Sequence, residues 1–201
     1  MGVKADDLID KLIVTALAEV EHRHSEAPPE ERRKVAEQIA VGALRYFMLK
    51  FTRNSVIAFD LHEALSFEGE TGPYVQYTAV RAGNILRKFE ERGGTLPGFR
   101  DVLSAQILDS GFQSDDLWQL LLVSSKAGSA VERAIAAGEP AHVAKYAFQL
   151  AQSFNNFYHE HSVIAEQDPE RRAILLWLTG YVRDQLLSIL DVLGIAQPPY
   201  M

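Results

Sequence analysis

Residues 66–92 read SFEGETGPYVQYTAVRAGNILRKFEER and place two tyrosines, then Arg81, Lys88 and Arg92, at helical intervals. At about 100° per residue, with Tyr74 as origin, Tyr77 falls near about 300°, Arg81 near about 340°, Lys88 near about 320° and Arg92 near the origin. These five residues share a stripe about 60° wide, whereas Val75, Ala79, Ala82, Leu86 and Phe89 gather around about 100° and face a core. Aromatic rings stack on unpaired bases, and arginine or lysine neutralises phosphate, so an RNA-reading helix needs these types in this arrangement. The same pattern also fits tyrosines at the edge of a core and a solvated row of cations paired with Glu90 and Glu91. Periodicity alone leaves both readings open.

Other candidate chemistry is weaker. His22 and His24, and likewise His159 and His161, are two residues apart and so lie about 200° apart on a helix, too far round to share an ion. They read as solvated histidines. Glu68 and Glu70 sit in a glycine-rich turn, a poor support for proton transfer, and read instead as part of the start of the helix that follows. The turn GETGPY lacks the lysine and spacing of a phosphate loop. No Ser/His/Asp arrangement can be assembled, and there is no cysteine for nucleophilic or metal chemistry. The expectation is no catalytic residue and no metal site.

The elements that would carry the stripe are helical. Apolar residues recur at three- and four-residue spacing almost throughout the 201 residues. Leu8, Leu12, Ala16 and Val20 line a first helix, and Val35, Ile39, Ala43, Leu44 and Phe47 a second. Residues 55–59 form the only plausible short strand. Pro73 opens a third helix at a position where its missing N–H costs nothing. Further helices are expected over 100–110, 115–137 and 140–165. Asp168-Pro169-Glu170 supplies the cap and first turn of a last helix striped with Leu175, Leu178, Val182, Leu186, Ile189 and Leu193. Trp118 and Trp177 lie in apolar patterns and are expected in the core. The fold class is therefore all-α, a bundle of about five helices after a boundary near residues 66–73. No run of about 18 apolar residues predicts a membrane span, the N-terminus lacks the pattern of a secretory signal, and cytosol is the default location. The net charge of −7 argues against a general nucleic-acid coat protein but leaves room for a local basic stripe.

At these residues a resemblance enters. The strings GALRYFMLKFTRN, FDLHEALSFEGETGPYVQYTAVR, QSFNNFYHEHSVI and RAILLWLTGYVRDQLLSILDVLGI, with the final PPYM, resemble arginyl-tRNA synthetases over essentially the whole chain. The resemblance places residues 1–66 as the helical segment following the class I catalytic core and residues 67–201 as the helical DALR-type anticodon-binding domain. It implies binding of arginine tRNA through its anticodon, in a ligase that uses ATP with magnesium. On matching positions it assigns Tyr74, Gln76, Tyr77, Arg81 and Lys88 to the anticodon-loop surface, and Asn155, Tyr158 and Met201 to the surroundings of the extruded middle base. Pro199-Tyr200 departs from the Glu-Arg that usually precedes the terminal methionine, and Tyr200 could offer another stacking ring.

The family's ATP- and arginine-binding motifs do not occur here, so the chain is expected to bind no cofactor and to form no adenylate alone. It reads as a segment of a longer ligase, a monomer whose partners are arginine tRNA and the rest of the synthetase. The alternatives are a free-standing paralogue that binds RNA or protein without ligase activity, and a structural helical protein. With about three to six phosphates contacted, tRNA binding should be weak and modestly salt-dependent.

Overall fold

Helix α1 (Ala5–Arg23) starts with Asp6 and Asp7 at the positive end of its dipole and buries Leu12, Ala16 and Val20 along one side. A short turn leads to α2 (Pro29–Leu49), which begins with proline at its first position. Val35, Ala36 and Ile39 of α2 close with Ala16 and Val20 into a small apolar cluster, so the first two helices form a packed hairpin. The computed structural model describes residues 4–102 and 114–201, and every regular element among them is helical.

The expected strand at 55–59 is not formed. No extended segment lies beside it among the described residues to complete a ladder, and the stretch is irregular. Its apolar side chains, Ile57 and Phe59, pack with Phe51 against Ala43, Phe47 and Ala64 instead. The chain then forms a single turn, α3 (Leu61–Leu65), capped by Asp60, whose carboxylate accepts from the Glu63 N–H.

Helix α4 (Gly72–Glu91) is capped by Thr71, whose hydroxyl accepts from the Tyr74 N–H and donates to the Ser66 carbonyl. The helix expected over 100–110 is described only at its start, α5 (Phe99–Val102), the rest lying outside the described residues. The span 115–137 is two helices, α6 (Asp115–Ser124) and α7 (Ala127–Ala137). At the break, the Ser124 and Ser125 hydroxyls donate to the carbonyls of Leu120, Leu121 and Leu122, competing with the backbone ladder. Gly138, at φ +63°, ends α7 in the left-handed conformation. Helix α8 (Ala141–Glu160) stops earlier than expected, because His161 is extended.

Helix α9 (Pro169–Val192) is capped by Asp168 and runs through the centre of the main core. It is long and apolar enough to cross a membrane by length and composition, but Ile174, Leu175, Leu178, Val182, Leu186 and Ile189 are at most 1% exposed against neighbouring helices. That burial makes it a core helix of the bundle. Trp177 packs on this core and stacks on Tyr181 at 5.4 Å. Trp118 does not follow the expectation: it lies on the outer side of α6, 48% exposed, because Leu117 and Leu120 supply that helix's buried face.

Tyr46 joins the first hairpin to the bundle. It is fully buried, and its hydroxyl donates to the Ala144 carbonyl of α8 at 2.9 Å. Burial, and secondarily the Glu70 charge, push its phenol well above the usual tyrosine range. A raised acid pKa keeps the folded state neutral, so the stability linked to Tyr46 is complete below about pH 10 and is lost as pH rises above it. Tyr46→Phe is expected to lower stability at pH 7 by about 1 kcal/mol and to make alkaline unfolding less steep. Urea titrations at pH 7 and above pH 10 check both effects.

Candidate nucleic-acid interface

The outer face of α4 and the end of α8 enclose a groove of about 620 Å³. Tyr77, Arg81, Lys88 and Arg92 line it from α4, and Tyr158 and His159 from α8, with residues 161–165 closing one wall. Arg81 organises the middle. Its guanidinium carbon lies 4.6 Å from the Tyr77 ring centre and 5.1 Å from that of Tyr158. One nitrogen donates to the Tyr77 hydroxyl at 3.1 Å and another to the Asn155 side-chain oxygen at 2.5 Å. Asn155, 7% exposed, donates in turn to the Thr78 hydroxyl, which donates to the Tyr74 carbonyl. A buried amide thus aims the arginine, and the arginine holds two rings in place. Tyr158 remains 39% exposed, with a ring face available for stacking.

The array extends beyond the groove. The Phe67 ring meets Tyr77 edge-on at 6.1 Å, and the Arg23 guanidinium lies over Phe67 at 4.9 Å. Arg23, Phe67 and Met201 line a second, smaller pocket of about 240 Å³ between α1 and the carboxy-terminal tail. A continuous run of cation and ring contacts therefore passes from Arg23 through Phe67, Tyr77 and Arg81 to Tyr158. Arg23 and Phe67 are not among the residues expected from sequence. Their only sequence signal was position, one at the end of α1 and the other beside the glycine-rich turn.

Of the residues assigned from sequence, Tyr77, Arg81, Asn155 and Tyr158 meet directly, and Lys88 joins the same groove. Met201 sits apart in the smaller pocket, packed on the α1–α2 cluster. Tyr74 does not reach the groove: its ring packs inward on Phe148 at 5.5 Å. Gln76 is 0% exposed, covered by α2 and the tail, and its amide nitrogen donates to backbone carbonyls there. Neither position presents its side chain to a ligand on this surface. Tyr200 is likewise engaged internally, against the His24 ring at 4.4 Å, rather than offering a free stacking face.

His161 departs from the expected solvated histidine. Its side chain is 11% exposed and its Nε2 lies 2.5 Å from an Asp116 oxygen, while Arg171 stands 3.5 Å from Nδ1. Burial works to raise the Asp116 carboxyl, but hydrogen bonds from Ser114 and His161 and the His161 charge outweigh it, leaving it below the usual range. Ligand atoms of Asp116, Glu160 and His161 do come within 4.8 Å of one another. The histidine and aspartate already engage each other, and a guanidinium adjoins the ring, so His161, Asp116 and Arg171 form a hydrogen-bonded brace for the groove wall.

The fold is a helical bundle presenting a groove lined by rings and cations, side chains of the kind on which unstacked bases and phosphates are held. The model of the DALR anticodon binding domain matches residues 75–201, and the chain belongs to that family. It is 33% identical to an arginine–tRNA ligase of Parabacteroides distasonis over 201 residues, 99% of this chain and 32% of that protein. With an arginine–tRNA ligase of Methanosarcina barkeri the identity is 35% over 199 residues, again 99% of this chain, and 34% of that protein. Among solved structures, arginyl-tRNA synthetase of Thermus thermophilus superposes with a TM-score of 0.85 at 30% identity, covering all of this chain and 32% of that one. The chain thus spans about a third of the length of the relatives it matches. It corresponds to their anticodon-binding part, and a free-standing module is the less favoured alternative.

Proposed function

We propose that this chain recognises arginine tRNA through its anticodon, on behalf of a ligase whose remainder binds ATP with magnesium and arginine and charges the tRNA in the cytoplasm. The observation that carries the reading is the Arg81 guanidinium held against both Tyr77 and Tyr158 above a groove that also contains Lys88 and Arg92. An unstacked base can lie on the exposed Tyr158 face, while the backbone on either side follows the cations. The rings and Arg81 are fixed before RNA arrives, so little side-chain ordering opposes binding. Family membership in the DALR domain supports the tRNA partner. The run of rings and cations reaching Arg23 supports a contact longer than a single nucleotide.

The test compares binding of arginine tRNA with that of the same tRNA carrying a changed middle anticodon base, at fixed low salt. The change is expected to weaken binding by about tenfold, the scale of one lost base-stacking or hydrogen-bonded base contact. Tyr158→Ala should erase that difference. Equal binding of the two RNAs by the unmodified chain would overturn the anticodon reading.

A further inference from the structure

Gln76 lies on α4 one residue before Tyr77, yet its side chain is fully buried and points away from the groove into a seam between α2 and the tail. Two chain segments remote in sequence converge on its amide. The nitrogen donates to the Gln38 carbonyl of α2 at 3.1 Å and to the Ala196 carbonyl of the tail at 2.7 Å. The seam is narrow: a Cβ added to Gly42 of α2 would sit 2.6 Å from that nitrogen. Beyond Ala196 the tail runs along the first hairpin, where Tyr200 packs on His24 and Met201 closes the pocket beside Arg23 and Phe67.

We infer that Gln76 is a positioning residue: its amide latches the carboxy-terminal tail to α2 and α4 and thereby holds Met201 at the end of the cation–aromatic array. This rests on the anticodon reading above for its role in RNA binding, though not for the latch itself. The geometry explains why a polar side chain is buried there. A buried amide costs free energy unless it is bonded; here its Oε1 has no partner among the described residues, whereas both of its N–H groups find carbonyls, one of which has no helical partner of its own because the tail is irregular. An apolar residue of the same length would fill the space and leave the tail carbonyl unpaired.

The experiment uses the full chain and Gln76→Met, which preserves length and removes the donor. Carboxypeptidase release of Met201 and Tyr200 under native conditions reads how often the tail detaches. Release is expected to quicken by about tenfold or more, the scale of one lost buried hydrogen bond, while cooperative unfolding persists. Affinity for an arginine tRNA anticodon stem-loop should fall, and deleting Met201 in the same chain should lower it no further. Unchanged tail release overturns the latch. Faster release with unchanged RNA affinity overturns the positioning role. If the unmodified chain binds no stem-loop, the anticodon reading fails, and tail release still decides whether Gln76 holds the tail.

Discussion

Arg81→Ala should weaken binding of an arginine tRNA anticodon stem-loop by about fiftyfold at low salt, the largest effect of any single change in the groove. Three losses combine. The first is a cation close to passing phosphate. The second is the guanidinium that lies against the Tyr77 and Tyr158 rings and keeps them oriented. The third is the hydrogen bond that Arg81 donates to the buried Asn155 side-chain oxygen, which is left as an unused acceptor. Truncated arginines at the centre of interfaces commonly cost about 2 kcal/mol or more, which corresponds to the fold-change stated. Arg81→Lys separates charge from shape: a point charge on a flexible stem keeps phosphate attraction but cannot bond Tyr77 and Asn155 together. It should recover only part of the loss, and its residual binding should respond to salt as the unmodified chain does. Fluorescence anisotropy across a salt series measures both variants. An affinity within twofold of the unmodified chain for Arg81→Ala would remove this residue from the interface.

The stripe on α4 was legible because helical geometry is local. Tyr77, Arg81 and Lys88 fall within a narrow arc at about 100° per residue, and the structure places all three in one groove. Tyr74 and Gln76 mark where that reasoning stops. A helical projection shows which side is apolar but not how far neighbouring helices wrap around its flanks. Here α2 and α9 both pack on α4, and burial extends past Val75 and Ala79 to Thr78 on one flank and to Gln76 and Val80 on the other. Tyr74, at the edge of that arc, is drawn onto Phe148. Contacts between remote segments left no trace in spacing at all. Arg81 with Asn155, Tyr46 with Ala144 and Gln76 with Ala196 are separated by 74, 98 and 120 residues. Resemblance to a family supplied Asn155, Tyr158 and Met201 as positions. It could not supply the pairing that makes Asn155 a support for Arg81, or the separation of Met201 into its own pocket. The break between α6 and α7 was in principle visible, since Ser124-Ser125 offers the backbone competing partners inside an otherwise apolar run.

Gly72→Ala should be the most destabilising of the small substitutions, although alanine is ordinarily the better helix former by up to about 1 kcal/mol. Gly72 is the first residue of α4, where that helix crosses the middle of α2. An added Cβ would overlap the Gly42 carbonyl oxygen, lie 2.7 Å from its carbon and 3.0 Å from the Tyr46 Cβ. Two of these obstacles are backbone atoms inside a helix, so no side-chain rotation relieves them and the two helices must part. Separation would loosen Tyr46 from Ala144 and draw the Gln38 carbonyl from Gln76, so packing and hydrogen bonding fail together. The expected cost is about 2–4 kcal/mol, or a fall in melting temperature of about 5–10 °C for a chain of this size. Gly128→Ala provides the opposite sign. That glycine lies in α7, a Cβ there meets nothing within 4 Å, and the same substitution should stabilise by about 0.5 kcal/mol through a less flexible unfolded chain. Calorimetry on both variants tests whether close approach at the α2–α4 crossing, rather than glycine content as such, limits the stability of the scaffold that carries the groove. Equal melting temperatures for the two would show that the crossing yields without cost.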